Sequence, residues 1–211
     1  MSWTVAAEEL CRYGRSIFDR GLTHGATGNL SQRLADGFLM TPTGANLGQL
    51  DPGGLARLDS EGRHVAGPPP TKEALLHLAM YRRRAQAGAV VHLHATHSVA
   101  LSALADLPAD DLLPPLTAYY VMRVGRLPLV PYFRPGDPRL ADAVAEQAGR
   151  HHAMLLANHG PVLAASTLAA AVDATEELEE TARLFLMLRG QRLRLLSEAQ
   201  VADLRATFPP P

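Results

Sequence analysis

His92 and His94 stand one residue apart in the apolar run AVVHLH, residues 89–94. In an extended strand that spacing turns both imidazoles to one face, as two ligands of one metal ion require. His159 follows in LLANHG, residues 155–160, where an apolar strand runs into a Gly-Pro turn. Strand ends of this kind are where sites are commonly built. Three imidazoles with coordination positions left over describe a catalytic divalent-metal centre rather than a closed structural one. An isolated His-x-His pair is also common as ordinary half-buried histidine, so the neighbouring residues carry weight. TKE at residues 71–73 brings a hydroxyl, an amine and a carboxylate together at an expected helix start. TPTG at residues 41–44 offers a hydroxyl and turn amides to an anion.

The elements that must position these groups can be read from periodicity. Residues 4–20 form an amphipathic helix, with Val5, Leu10, Tyr13, Ile17 and Phe18 spaced three to five apart and Gly21 placed to end it. Two hairpins follow, 29–34 with 38–41 around Asp36-Gly37, and 56–59 with 63–66 around Glu61-Gly62. Prolines 68–70 stop the second hairpin, and Thr71 is expected to cap a helix to Arg84 with Leu75, Leu76, Ala79 and Met80 inward. Strands are expected at 89–94, 127–132 and 153–157, and helices at 138–150 and 167–189, the last closed by Gly190. Ser197 and Gln200 spell a capping box for a terminal helix. Hairpins interleaved with helices predict a mixed sheet covered by helices on both faces.

Composition narrows the function classes. The chain has 211 residues, enough for one well-filled core and short for two, so a single domain over 1–211 is expected. Twenty basic and 21 acidic residues give a net charge of -1, which leaves no field to gather nucleic acid. The single cysteine, Cys11, forms no internal bridge and builds no cysteine metal cluster. No basic-then-apolar leader stands at the amino terminus and no apolar run spans a membrane, so a cytoplasmic protein is expected.

Five segments together resemble the class II aldolases, the zinc-dependent family that includes fuculose-phosphate aldolase. They are GATGNLS (25–31), TPTG (41–44), PTKE (70–73), VVHLHATHS (90–98) and LLANHGP (155–161). A closer likeness is to a subgroup, the 3-oxo-tetronate 4-phosphate decarboxylases. YVMRVG (120–125), PLVPYFRPGD (128–137) and EELEET (176–181) carry it. The resemblance implies a three-layer αβα sandwich around a central, largely antiparallel mixed sheet. By the family's motif, His92, His94 and His159 match metal ligands, and Glu73 matches the acid/base group that also binds metal when substrate is absent. Gly28, Asn29, Thr43, Gly44, Thr71 and Lys72 match phosphate-binding positions, with Lys72 replacing a small hydroxyl residue. Tyr120 and Arg123 are further candidates for substrate contact. Zinc is the expected ion, with manganese or cobalt as alternatives, and a homo-tetramer is the expected assembly.

The implied reaction is decarboxylation of a phosphorylated four-carbon 3-oxo acid, in sugar-acid catabolism. Its C2 hydroxyl and C3 ketone suit one divalent ion. Loss of C1 as carbon dioxide leaves an electron pair that a metal-polarised ketone accepts as an enediolate, and protonation at C2 gives dihydroxyacetone phosphate. Aldol cleavage of a ketose 1-phosphate to an aldehyde passes through the same enediolate and is the alternative. Lys72, Arg123 and a tail without tyrosine after Tyr132 favour the decarboxylase. A distant alternative is a non-enzymatic domain resembling adducin heads, which lack the histidine triad. His24, His97 and the remaining histidines receive no role, and residues 176–180 read as a solvated acidic helix face.

Overall fold

The computed structural model describes residues 2–208. Met1 and the last three residues of the tyrosine-free tail, Pro209–Pro211, lie outside them. Eight strands form one sheet in the order β4-β3-β2-β1-β5-β8-β7-β6. They are β1 (Asn29–Leu34), β2 (Gly37–Met40), β3 (Ala56–Asp59), β4 (His64–Ala66), β5 (Ala89–His92), β6 (Leu129–Val130), β7 (Ala153–Leu156) and β8 (Gly160–Ala165). Every pairing is antiparallel except β6 with β7.

Strand alternation divides the core between the two faces of the sheet. Met40, Val90, Met154 and Val162 pack with Leu76, Met80, Leu140 and Val144 from helices α2 (Ala74–Arg83) and α5 (Pro138–Ala148). Their neighbours Leu39 and Val91 face helix α1 (Trp3–Asp19) and the start of helix α6 (Leu168–Met187). Leu155 and Leu163 lie on that second face too, under α6 and helices α3 (Thr96–Ser102), α4 (Ala118–Arg123) and α7 (Glu198–Thr207). The result is the expected three-layer sandwich with a largely antiparallel mixed sheet. Helix starts obey their sequence signals: Ser2, Asp137, Thr167 and Ser197 each accept a backbone N–H at the cap, and Ser197 with Gln200 completes the capping box.

Several boundaries differ from the sequence reading for identifiable reasons. The strand expected over 127–132 shrinks to two residues, because Pro128 and Pro131 have no N–H to give a ladder. Gly160 and Pro161 do not form the turn after β7 but begin β8; the turn is residues 157–159, with Asn158 at φ 54. Thr71 does not cap α2, which starts at Ala74 with Glu73 at the cap, and Leu75 is 43% exposed rather than inward. Leu76, Ala79 and Met80 are buried as expected, joined by His77, Leu78 and Tyr81.

His152 shows how burial couples this fold to pH. Its Nε2 bonds the Arg123 carbonyl at 2.9 Å, and burial first, then Arg84 and His151, bring its pKa down to about 4. The unfolded chain therefore takes up a proton between pH 6.5 and 4 that the folded chain refuses, so stability falls as pH falls through that window. The expected slope from this residue is about 1.4 kcal/mol per pH unit. Urea unfolding of His152→Asn is expected to show a correspondingly flatter pH dependence than the unaltered protein, and identical slopes would contradict the assignment.

Candidate metal and lyase site

β5 ends at His92, whose position opposite Asn29 in β1 and Val162 in β8 is fixed by the ladder. His94 lies two residues beyond the strand end rather than within the strand, yet its ring still meets those of His92 and His159. The three ring centroids stand 4.7–5.1 Å apart, edge to face, around a common point. Gly160 allows His159 to come this close. A Cβ on it would sit 2.2 Å from the Leu93 carbonyl oxygen, and its φ of 153 disfavours a side chain.

Glu73 closes the group from the other side. Residues 41–43 and 69–71 are tied by backbone bonds from Thr43 N to Pro69 O and from Thr71 N to Thr41 O. Thr71 Oγ1 then accepts the Glu73 N–H at 3.3 Å, which sets the carboxylate beside the histidines. One ligand atom each from Glu73, His92, His94 and His159 lies within 4.8 Å of the others.

The donors fit a divalent cation. His92 Nδ1 bonds the Pro161 carbonyl at 2.8 Å, so its N–H points away and Nε2 presents a lone pair. His92 Nε2, His159 Nε2 and Glu73 Oε1 are buried and have no hydrogen-bond partner. Unsatisfied buried polar atoms are costly, and here they face one another, with Nε2 atoms 3.2 and 3.3 Å from the Glu73 oxygens. Burial raises the Glu73 pKa, but His92, His159 and Asn29 outweigh it and hold the carboxyl well below the usual carboxylate range. Burial, with the charge on His92, brings His94 and His159 each down to about 4, so both offer bare nitrogens at neutral pH. Burial also lowers His92, but Glu73 more than offsets it, so proton and cation compete for that lone pair.

Outward from this group opens a cavity of about 510 Å³ lined by His24, His94, Thr96, Tyr132, Asn158 and His159. That volume suits a small phosphorylated acid. Gly28 packs against the end of β5, where a Cβ would meet the His92 carbonyl oxygen at 3.0 Å. Thr43, Gly44, Thr71 and Lys72 lie on the paired loops beside Glu73, with Thr43, Gly44 and Lys72 exposed. The side chain of Asn29 is engaged by Glu73 rather than open to a phosphate: its Nδ2 donates to Glu73 Oε2 at 2.9 Å.

The two further substrate candidates are not brought to this cavity within the chain. Tyr120 is 1% exposed among Leu112, Leu113, Val124 and Leu127, and burial pushes its hydroxyl far up. It is a core side chain, placed there by the inward face of α4. Arg123 lies on the surface, 3.0 Å from Asp173 and close to Glu176, Glu177 and Glu180.

Sequence reasoning missed His24 and Tyr132, which line the cavity, and Glu179. The acidic run 176–180 is not uniformly solvated: Glu179 is 8% exposed and accepts from His97 N, His97 Nδ1, Ser98 N and Ser98 Oγ. It thereby caps α3 immediately after His94. Glu179→Ala is expected to destabilise the protein by about 2–4 kcal/mol in urea unfolding, since it strands several buried donors. A loss below about 0.5 kcal/mol would contradict the capping role.

Known proteins share this chain's sequence pattern and fold. Residues 8–186 match the family model described as the class II aldolase and adducin N-terminal domain. A 3-oxo-tetronate 4-phosphate decarboxylase of Haemophilus influenzae is 48% identical over 93% of this chain and 94% of its own. An L-fuculose phosphate aldolase of the same organism is 34% identical over 89% and 86%. The crystal structure of YgbL from Escherichia coli superposes with a TM-score of 0.94 at 46% identity, covering 96% of this chain and 99% of its own. An L-fuculose 1-phosphate aldolase structure reaches 0.87 at 26% identity, covering 96% and 95%. With the family model matched over residues 8–186 and a relative 48% identical over 93% of the chain, the protein belongs to the class II aldolase family.

Proposed function

We propose that this chain is a carbon–carbon lyase that decarboxylates 3-oxo-tetronate 4-phosphate to dihydroxyacetone phosphate and carbon dioxide, in sugar-acid catabolism. The observation that carries the proposal is the buried Glu73–His92–His94–His159 group, opening on a cavity of substrate size, in a chain 48% identical to such a decarboxylase. When bound, a divalent ion supplies the electrophile for the electron pair left by the departing carboxylate, and imidazole-rich donors favour zinc, with manganese or cobalt as substitutes.

The chain's own residues do the rest. His92, His94 and His159 present the lone pairs that hold the ion. Glu73 Oε1, the oxygen without a partner, delivers one solvent-derived proton to C2 per turnover. Gly28, Thr43, Gly44 and Thr71 offer backbone and hydroxyl groups to the phosphate, and Lys72 supplies a cation beside them. Tyr132 and Asn158 line the cavity that receives the substrate beside His94 and His159. A homo-tetramer in the cytoplasm is part of the proposal, supported by family membership and, for the compartment, by the single cysteine. Among the described residues no helix is long and apolar enough to cross a membrane.

A paired assay tests the reading. Metal-loaded protein receives 3-oxo-tetronate 4-phosphate or fuculose 1-phosphate, and dihydroxyacetone phosphate, carbon dioxide and aldehyde are followed. Dihydroxyacetone phosphate and carbon dioxide from the acid alone are expected. Aldehyde from the sugar phosphate, with the acid untouched, would instead make the protein an aldolase.

A further inference from the structure

Behind Glu73 a line of buried polar side chains runs through β1 to α2. Asn29 Nδ2 donates to Glu73 Oε2 at 2.9 Å, and Asn29 Oδ1 meets His77 Nε2. His77 Nδ1 meets Ser31 Oγ at 2.7 Å, and Ser31 Oγ meets Tyr81 Oη at 2.9 Å. Asn29, Ser31, His77 and Tyr81 are all buried, the histidine completely. Nothing in the reaction described above uses His77, Ser31 or Tyr81.

Donor and acceptor accounting fixes the direction of every bond. An ionised carboxylate oxygen only accepts, so Asn29 turns its amide nitrogen to Glu73 and its oxygen to His77. That oxygen also only accepts, so the His77 hydrogen sits on Nε2. With the hydrogen on Nε2, the neutral ring leaves Nδ1 bare to accept from Ser31 Oγ at 2.7 Å. With its hydrogen used, Ser31 accepts from the Tyr81 hydroxyl, whose oxygen is itself bonded by the Val90 backbone. Reversing the Ser31 and Tyr81 bonds would strand a buried phenol hydrogen. All the hydrogens of the chain therefore point toward the carboxylate.

We infer that His77, acting through Asn29, is a positioning residue for Glu73: the one-way chain pins Oε2 and leaves Oε1 as the oxygen that meets substrate. The two carboxylate oxygens are thus not interchangeable. The inference rests on Glu73 as the proton-handling group of the proposed reaction, and it gives Asn29 a role through Glu73 rather than through phosphate. A buried polar cluster kept only for packing has no reason to direct every hydrogen at one oxygen of a site residue.

The test compares two variants. The amide of His77→Gln can place an N–H where Nε2 lies, whereas His77→Phe keeps the ring volume and removes the donor. His77→Gln is expected to keep kcat within about threefold, and His77→Phe to lower kcat about 10- to 100-fold at unchanged KM, the cost of a misplaced catalytic group. Nitrogen-15 NMR of the metal-free protein is expected to show His77 as the Nε2–H tautomer. It is also expected to show the Asn29 side-chain amide moving in His77→Phe but not in His77→Gln. A folded His77→Phe with unaltered kcat, or an Nδ1–H tautomer in the unaltered protein, would overturn the inference. The tautomer also decides the matter if His77→Phe does not fold. Should the unaltered protein release no carbon dioxide from the acid, the proposed reaction fails, while the tautomer and Asn29 signals still judge the chain.

Discussion

Glu73→Gln is expected to lower kcat by about 10²- to 10⁴-fold, the usual contribution of a positioned acid/base group, while metal still binds. The two oxygens of the carboxylate have different surroundings. Asn29 holds Oε2, and Oε1 faces the histidines with no partner. Glutamine keeps the length and polarity of the side chain but has no ionisable oxygen to pick up and release a proton. Three imidazole lone pairs remain for the ion, so metal content measured by atomic emission is expected to stay near one per chain. Near-normal turnover in Glu73→Gln would remove Glu73 from the proton path. Loss of metal together with turnover would make it chiefly a ligand.

His94→Ala is expected to abolish both activity and the metal-dependent rise in thermal stability. His94 is the best ligand to remove, because it lies beyond the β5 ladder and lines the cavity, so its loss disturbs little packing. In the unaltered protein, ion at about 100 times its Kd adds about 2.7 kcal/mol to the folded state. For a chain of this size that corresponds to a rise in Tm of about 5–10 °C. His94→Ala is expected to melt like the metal-free unaltered protein and to ignore added zinc, manganese or cobalt. The adducin-like alternative predicts no metal-dependent shift even before mutation. A full shift in His94→Ala would show that the ion sits elsewhere.

Much of this arrangement was legible in the sequence. Alternation in AVVHLH predicted that His92 and His94 share a face, and hairpin and capping signals located most elements within a few residues. Local chemistry accounts for this: strand parity, cap hydroxyls and Gly-containing turns act over a handful of positions. What stayed hidden depends on distant partners. Glu179 reads as one more acidic residue until α6 lays it against the first turn of α3, 81 residues away from Ser98 in sequence. Asn29 reads as a phosphate-binding position until the fold brings Glu73 onto its side chain. Tyr120 reads as a site tyrosine until the inward side of α4 buries it. Pro161 reads as a turn residue, yet its carbonyl orients the His92 ring.

The most direct measurement follows 3-oxo-tetronate 4-phosphate in deuterated water with the metal-loaded protein, by carbon-13 and proton NMR. C2 of the acid becomes the hydroxymethyl carbon of dihydroxyacetone phosphate, and the bond to C1 is replaced by one bond to solvent hydrogen. The account predicts equimolar carbon dioxide and dihydroxyacetone phosphate carrying one deuteron on that carbon, delivered to one face by Glu73. Unchanged acid in the presence of bound divalent metal would contradict it.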